Sequence, residues 1–152
     1  MVGESDVGKT TLIKMFLNGQ VDSLKKDWTD VCNDFQTVIP IEMENGQKNR
    51  VKSSLWDTAG TEEFKSIAGM YYRDAHAAII VYSIDNKHSF EKVNYWESQV
   101  NDYCPPGILK VLVGNKSDME NDRKVKPEDG QERASDSMLF YETSAQTSYE
   151  SV

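Results

Sequence analysis

The residues near the start of the chain have the types and spacing needed to hold a phosphate group. The run GESDVGKT at positions 3–10 fits the pattern G-x-x-x-x-G-K-[ST]. Its glycines let the backbone wrap tightly, so that successive N–H groups point inward toward anionic oxygens. The Lys9 ammonium could reach the outer phosphates of a nucleotide, and the Thr10 hydroxyl could ligand Mg²⁺. We therefore expect nucleotide contacts from Gly3, Asp6, Val7, Gly8, Lys9, Thr10 and Thr11.

Three further polar stretches each come directly after a predicted strand. They are DTAG at 57–60, NKSD at 115–118 and TSA at 143–145. In an open α/β sheet, ligands bind at the carboxyl ends of the strands. We therefore expect these stretches to converge with the phosphate loop on one edge of a sheet.

The elements that must position these motifs can be predicted from hydrophobic periodicity and turn signals. A helix is expected from Lys9 to Leu17, and its positive N-terminal end would face the phosphates. Asn45-Gly46 is typical of a hairpin turn between two antiparallel strands, and Pro40 favours the edge of a sheet. The expected strands are 35–43, 50–56, 75–84, 108–114 and 138–143, and the other helices are 62–72, 89–103 and 127–135.

This alternation predicts an α/β fold with a doubly wound, mostly parallel sheet and one antiparallel edge strand. The 152 residues suit one domain, 1–152. Because only two residues precede the phosphate loop, we expect the first strand to be incomplete. We expect the last helix to be incomplete as well, because the sequence stops at Val152, just as another helix could begin after Gln146. The polar run from Gln20 to Asp34 reads as a long loop, which in compact domains is usually functional or disordered.

Composition excludes several classes of function. The formal net charge of -8 argues against nucleic acid as a partner, because phosphate backbones require an excess of Lys and Arg. No apolar run is long enough to span a membrane. Cys32 and Cys104 lack the spacing of a metal site. We expect two free thiols, although a Cys32–Cys104 disulfide remains open.

The motifs together resemble a small GTPase of the Ras superfamily, over nearly the whole chain. The run YYRDAHA at 71–77, followed by IIVY at 79–82, resembles the Rab branch in particular. Trp56 and Trp96 are also Rab-like. The resemblance implies the P-loop nucleotide hydrolase fold, GTP and GDP as ligands, and Mg²⁺ as cofactor.

The stretch at 115–118 matches the family's N-K-x-D motif. A carboxylate at Asp118 can accept both N1–H and the exocyclic amino group of guanine, whereas adenine would leave it unpaired. The resemblance implies that Asn115 holds the loop and the base and that Lys116 packs over the ring. Ser144, Ala145 and Gln146 resemble the S-A-K motif, whose backbone N–H groups contact the guanine oxygen, with Gln146 in place of lysine.

The stretch at 57–60 resembles the family's second switch. There Asp57 would hold Mg²⁺ through a water, beside Thr10. The Gly60 N–H would bond the γ-phosphate and release it on hydrolysis. Lys9, Gly60 and Thr61 are the catalytic candidates. Effector, exchange-factor and activating proteins would bind the segments Gln20 to Phe35 and Gly60 to Arg73.

Three positions depart from the family pattern. Thr61 stands where a Gln usually orients the attacking water, which predicts slow hydrolysis. Asp6 replaces a small residue, and a carboxylate near polyphosphate is unfavourable unless it points away. The first switch has TDVCNDF at 29–35, one residue longer than the Rab pattern and without its glycine. Thr29 is the expected Mg²⁺ ligand, Thr37 is the runner-up, and it is also open that neither residue fills the role.

The leading hypothesis is a Rab-like switch that binds guanine nucleotide, hydrolyses GTP slowly and regulates vesicle and membrane traffic. An alternative is a hydrolysis-deficient GTP-binding or scaffold module, favoured by Thr61, Asp6 and the irregular first switch. A third is an ATP-using protein, which Asp118 opposes. We expect a cytoplasmic protein, at the cytosolic face of intracellular membranes if the full chain is lipidated. Membrane contact would come only through segments absent from this chain.

Overall fold

The computed structural model describes residues 1–18, 32–60, 70–135 and 137–147. Within these ranges a first helix is followed by a two-stranded hairpin, and three further strands and their helices come after it. In chain order they are α1 (Lys9–Asn18), β1 (Cys32–Glu42), β2 (Lys48–Thr58), β3 (Ala77–Ser83), α2 (Lys87–Glu91), α3 (Val93–Tyr103), β4 (Leu109–Asn115), a 3₁₀ turn (Glu120–Asp122), α4 (Pro127–Ala134) and β5 (Leu139–Glu142).

The first two strands form a long antiparallel hairpin. Its register runs from Cys32 opposite Thr58 to Glu42 opposite Lys48. The turn carries Gly46 at φ 78°, in the left-handed region that glycine accepts without steric cost. The predicted Asn45-Gly46 hairpin and its antiparallel strands are therefore confirmed.

The other three strands form a parallel sheet in the order β3-β4-β5. The start of the chain lies between this sheet and the hairpin. Val2 makes an isolated parallel bridge to Ile80, and the Met1 nitrogen donates to the Trp56 carbonyl at 2.6 Å. Residues 1–2 thus connect β2 to β3 immediately before the phosphate loop.

Helices cover the parallel sheet on both faces. One apolar cluster joins alternate residues of β3 (Ala78, Ile80 and Tyr82) to Trp96 and Val100 of α3. A second cluster joins the intervening Val81 to Leu12 and Met15 of α1 and to Val113 of β4. Because neighbouring strand residues point to opposite faces, these two clusters are the two sides of a doubly wound sheet, as predicted.

Some element boundaries differ from those predicted. The hairpin begins at Cys32 rather than Phe35, and β2 continues through Asp57 to Thr58 rather than ending at Trp56. The predicted helix 89–103 begins at Lys87 and is two helices, broken at Lys92. The Asn86 side chain accepts from the Ser89 N–H, which caps the first of them.

Other predictions concern residues that the structure describes only in part. Most of the predicted long loop and of helix 62–72 lies outside the described residues. Cys32 and Cys104 are free thiols. Within the described ranges, no helix combines the length and the apolar character needed to cross a membrane.

We predict that Gly130→Ala destabilises the protein even though Gly130 lies within helix α4. A Cβ there would lie 2.5 Å from Phe140 Cζ and 2.7 Å from the Tyr82 hydroxyl oxygen. In an exposed helix the change would stabilise by about 1 kcal/mol, but here overpacking should lower the free energy of unfolding by roughly 1–3 kcal/mol. Urea denaturation measures this, with Gln131→Ala at the neighbouring exposed position as control. A gain in stability for Gly130→Ala would contradict this packing.

Candidate functional site

The phosphate loop has a backbone that only certain residues accept. Gly3 and Gly8 have φ of 146° and 94°, and Asp6 has φ of 64°. Aspartate tolerates the left-handed region better than most residues, so Asp6 is compatible with the loop's backbone. The Lys9 ammonium closes the loop from inside by donating to the carbonyls of Gly3 and Glu4, both at 2.9 Å.

Lys9 is only 7% exposed, and its burial has the largest effect on the pKa of its ammonium. Burial lowers the pKa of the Lys9 ammonium to about 8, and the nearby charges of Asp57, Glu4 and Asp6 oppose that shift. A buried cation is costly unless it is paired with an anion. A phosphate bound in the loop would therefore stabilise the charged form of Lys9.

Thr10 and Asp57 form a pair suited to a hard divalent cation. The Thr10 hydroxyl donates to Asp57 Oδ2 at 2.6 Å, and Asp57 is 0% exposed at the end of β2. The described residues contain no group of three or more His, Cys, Asp and Glu side chains that could hold a metal by themselves. Mg²⁺ prefers oxygen ligands, so the Thr10 hydroxyl and the Asp57 carboxylate fit an ion that takes its remaining ligands from water and phosphate.

Asn115 at the end of β4 connects the phosphate loop to the predicted base-binding motif. Its Nδ2 donates to the Val7 carbonyl at 2.7 Å, in a buried position. A Cβ at Gly8 would lie 2.3 Å from the same Nδ2, so the backbone of the loop presses directly against this amide. The Oδ1 of Asn115 is buried and has no hydrogen-bond partner among the described residues. A buried oxygen without a hydrogen bond lowers stability, and a bound group or water that donates to Asn115 Oδ1 would offset that cost.

Asp118 is held by a residue from the other predicted base-binding stretch. The Ser144 hydroxyl donates to Asp118 Oδ1 at 2.5 Å and accepts from the Gln146 N–H at 3.1 Å. Asp118 itself is exposed, whereas Ser144 and Ala145 are buried. The carboxylate is thus fixed in direction and still accessible, as a carboxylate that reads a base must be.

The backbone also holds the two base-binding stretches together. The Thr143 N–H donates to the Gly114 carbonyl at 2.9 Å, and the Ser117 N–H donates to the Thr143 carbonyl at 3.0 Å. Lys116 has a φ of 64°, and its ammonium lies 3.9 Å from Asp85 Oδ1. Lys116 thus has a left-handed backbone within the stretch 115–118, and its ammonium lies near the Asp85 carboxylate.

Gly60 lies against the phosphate loop. A Cβ at this position would come within 2.4 Å of Glu4 C and Ser5 N. Real Cβ atoms do not approach other atoms so closely, so only glycine lets these two backbones meet. This contact brings the Gly60 end of the DTAG stretch to the loop, as the sequence predicts.

Several predicted site residues are either outside the described residues or away from this assembly. Thr29 and Thr61 lie outside the described residues, as do residues 20–31 and 61–69 of the two predicted partner-binding segments. Thr37 is in mid-strand opposite Ser53, whereas Asn33 is opposite Asp57. At about 3.3 Å per residue, Thr37 lies roughly 13 Å along β1 from Asn33. This distance argues against Thr37 as the runner-up Mg²⁺ ligand.

Sequence reasoning missed two roles at the site, one of a side chain and one of a backbone carbonyl. It assigned Ser144 a backbone contact, whereas its hydroxyl also orients Asp118. It gave Glu4 no role, although the Glu4 carbonyl accepts from Lys9. The position of Ser144 just after a strand end was the available signal for the first, and nothing in local spacing indicated the second.

Comparison with known proteins agrees with this geometry. A family model described as Ras family matches residues 1–151. The chain is 39% identical over 152 residues to "Ras-related protein Rab-26" of Mus musculus, covering 97% of this chain and 55% of that protein. It is 38% identical to the Homo sapiens protein of the same name, covering 97% and 56%. It is 39% identical over 146 residues to "Ras-related protein RABA5b" of Arabidopsis thaliana, covering 95% and 64%. The chain thus spans a little over half the length of the Rab-26 relatives.

We predict that Gly8 and Asn115 are energetically coupled even in nucleotide-free protein. Gly8→Ala should lower the free energy of unfolding by about 2–4 kcal/mol, because it adds backbone strain and a clash with Asn115 Nδ2. Asn115→Ala removes the atom that the new Cβ meets, so Gly8→Ala should cost less in that background. Urea denaturation of the four proteins in this cycle measures the coupling. Strictly additive costs would contradict the contact.

Proposed function

We propose, from the premise that the chain belongs to the Ras family, that it is a guanine-nucleotide-binding switch. In this proposal it binds GTP with Mg²⁺, hydrolyses it slowly to GDP, and presents different surfaces in the two states. Its relatives carry the name Rab, and the proposal includes the role in membrane traffic that the resemblance implies. The proposal also takes residues 1–152 as belonging to one nucleotide-binding domain.

The observation that carries the proposal is the direct contact between the phosphate loop and the base-binding motif. The Asn115 amide bonds the Val7 carbonyl at 2.7 Å, so the two halves of a nucleotide site are fixed relative to each other. A ligand that satisfies both must have phosphates at one end and a base at the other. The Asp118 carboxylate, oriented by Ser144, favours a base with adjacent N–H donors, which guanine has and adenine lacks.

Different residues of the site would contact different parts of the triphosphate. Lys9 and the backbone N–H groups of residues 3–10 would hold the phosphates. Mg²⁺, held by Thr10 and through water by Asp57, would neutralise charge that develops on the phosphate oxygens. The Gly60 N–H would bond the third phosphate, and its contact with Glu4 and Ser5 supports that role.

A hydrolysis-deficient binding module remains the second candidate, and Asp6 favours it. Asp6 is exposed on the loop, and its charge is among those that raise the pKa of Lys9. A carboxylate that stabilises Lys9 also repels polyphosphate, which would weaken nucleotide retention. Thr61 also favours the hydrolysis-deficient module, on sequence evidence alone, because it stands where a Gln usually orients the attacking water.

An exposed aromatic patch supports the proposed binding of effector and regulatory proteins. The Trp56 and Tyr71 rings lie 5.3 Å apart between centroids, and Trp56 and Met70 are 38% and 77% exposed. Aromatic residues and methionine are enriched at protein interfaces. The patch combines the end of β2 with the described end of the Gly60 to Arg73 segment, where the family places a switch surface.

The proposal is tested by loading the protein with GTP and Mg²⁺ and following the bound GTP and GDP by chromatography. Slow conversion to GDP is the expected result. Retained GTP without conversion would favour the binding module. Failure to bind either nucleotide would contradict both nucleotide-binding candidates and leave the scaffold alternative.

We predict that Thr61→Gln accelerates hydrolysis, because a longer amide can orient the attacking water. Single-turnover conversion of bound GTP should become roughly tenfold faster. Thr61→Val is the matched control, since it keeps the shape of threonine and adds no group able to orient water. Equal rates for all three proteins would show that residue 61 does not face the reacting phosphate.

We predict that Asp118→Asn changes the preferred base from guanine to xanthine. The amide N–H can donate to the 2-carbonyl of xanthine, whereas the wild-type carboxylate accepts from the 2-amino group of guanine. Competition between GTP and xanthosine triphosphate measures the preference, which should shift by about 100-fold or more. Asp122→Asn makes the same chemical change at an exposed position nearby and should leave guanine preferred. An unchanged preference in Asp118→Asn would overturn the base assignment.

A further inference from the structure

The Glu4 side chain makes a long-range contact that the proposed nucleotide chemistry does not use. Its Oε1 accepts a hydrogen bond from Trp96 Nε1 at 3.0 Å, across 92 positions of sequence. Trp96 lies on helix α3 and is 5% exposed, packed in the same cluster as Val100 and Ile80. The contact therefore connects a position that the phosphate-loop pattern leaves unspecified to the apolar core on one face of the sheet.

The main chain of Glu4 faces the reacting end of the site. Its carbonyl accepts from the Lys9 ammonium at 2.9 Å. The peptide between Glu4 and Ser5 is also where Gly60 makes its closest approach, with a virtual Cβ at 2.4–2.6 Å from its atoms. One peptide unit thus lies between Lys9 and Gly60, and the Glu4 side chain fixes it from a third direction.

We propose that the Glu4–Trp96 hydrogen bond is a positioning contact that sets how well the site discriminates GTP from GDP. Neither side chain touches the nucleotide in this proposal. The bond holds the Glu4–Ser5 peptide in the place where Gly60 can approach the third phosphate. The inference rests on the proposed nucleotide function and names a regulator of the same site.

The proposal predicts a different effect on the affinity for GTP than on the affinity for GDP. GDP lacks the phosphate that the Gly60 N–H would bond, so loss of the Glu4–Trp96 bond should weaken GTP binding more than GDP binding. Hydrogen bonds to charged groups are among the stronger ones in proteins, and we expect the ratio of GTP to GDP affinity to fall about five- to tenfold. A purely structural role would lower both affinities by the same factor.

The test uses variants that separate the hydrogen bond from packing and charge. Trp96→Phe removes the indole N–H and keeps a ring in the core, and Glu4→Met removes the acceptor at similar size. Glu4→Gln keeps a carbonyl oxygen that can accept from Trp96 and should retain the wild-type ratio. Val100→Ala destabilises the same helix face without touching the bond, and it should also retain the ratio.

The two affinities are measured by nucleotide titration in Mg²⁺, for each variant and for the Glu4→Met/Trp96→Phe double variant. If the two residues act through one bond, the double variant should show the same fall in the ratio as either single variant. A ratio unchanged in Trp96→Phe and Glu4→Met would overturn the proposal. So would single effects that multiply in the double variant.

A second measurement decides the structural part without any nucleotide. Amide hydrogen exchange in peptides that cover Glu4, Ser5 and Gly60 should be faster in Trp96→Phe and Glu4→Met than in wild type. Glu4→Gln and Val100→Ala should exchange in these peptides as wild type does. Unchanged exchange in the first two variants would overturn the positioning contact. If the wild type bound neither nucleotide, the proposed function would fail while this measurement still gave its answer.

Discussion

The site depends on one buried amide. Asn115 ends the central strand β4 and donates to the Val7 carbonyl in the phosphate loop, with Gly8 pressed against the same nitrogen. Because Asn115 is 2% exposed, this bond forms away from competing water, where an unmade partner is costly. It transmits the rigidity of a strand covered on both faces to a loop that has no regular structure of its own. The position of the phosphate loop relative to the proposed base-binding stretch is therefore set by the core.

The phosphate loop is held in a conformation that costs stability. It buries the Lys9 ammonium against two carbonyl oxygens, and burial lowers the pKa of Lys9 to about 8. It also places the non-glycine residue Asp6 at a positive φ. Features of this kind persist where the surrounding structure over-determines them, and they are common at ligand sites. A polyanion that pairs with Lys9 offsets part of this cost, so ligand binding and folding stability are linked.

Much of the fold and of the backbone-built part of the site could be predicted from the sequence. Glycine spacing specifies the phosphate loop because its geometry excludes other residues, and the apolar runs of β3 and β4 indicate strands covered on both faces. Side-chain contacts between distant segments could not be predicted. Ser144 with Asp118 and Glu4 with Trp96 depend on how strands and helices pack, and no local pattern encodes them. The hairpin began three residues earlier than predicted because pairing with β2 extends strand structure into a polar stretch.

The charges around Lys9 show why the loop and the cation site should act as one unit. Asp57, Glu4 and Asp6 all stabilise the charged form of Lys9, and each of these carboxylates also repels a polyphosphate. Trp96 holds the Glu4 carboxylate on the side of α3, and Thr10 holds Asp57 toward the loop. With Mg²⁺ between Asp57 and the phosphates, the Asp57 carboxylate would favour nucleotide binding instead of opposing it, because both anions would then be attracted to the divalent cation. Glu4 has no such cation within its reach in this proposal. In this proposal the hydrogen bond to Trp96 would keep the Glu4 carboxylate directed toward α3 and away from a bound phosphate, while the Glu4 backbone remains in the loop.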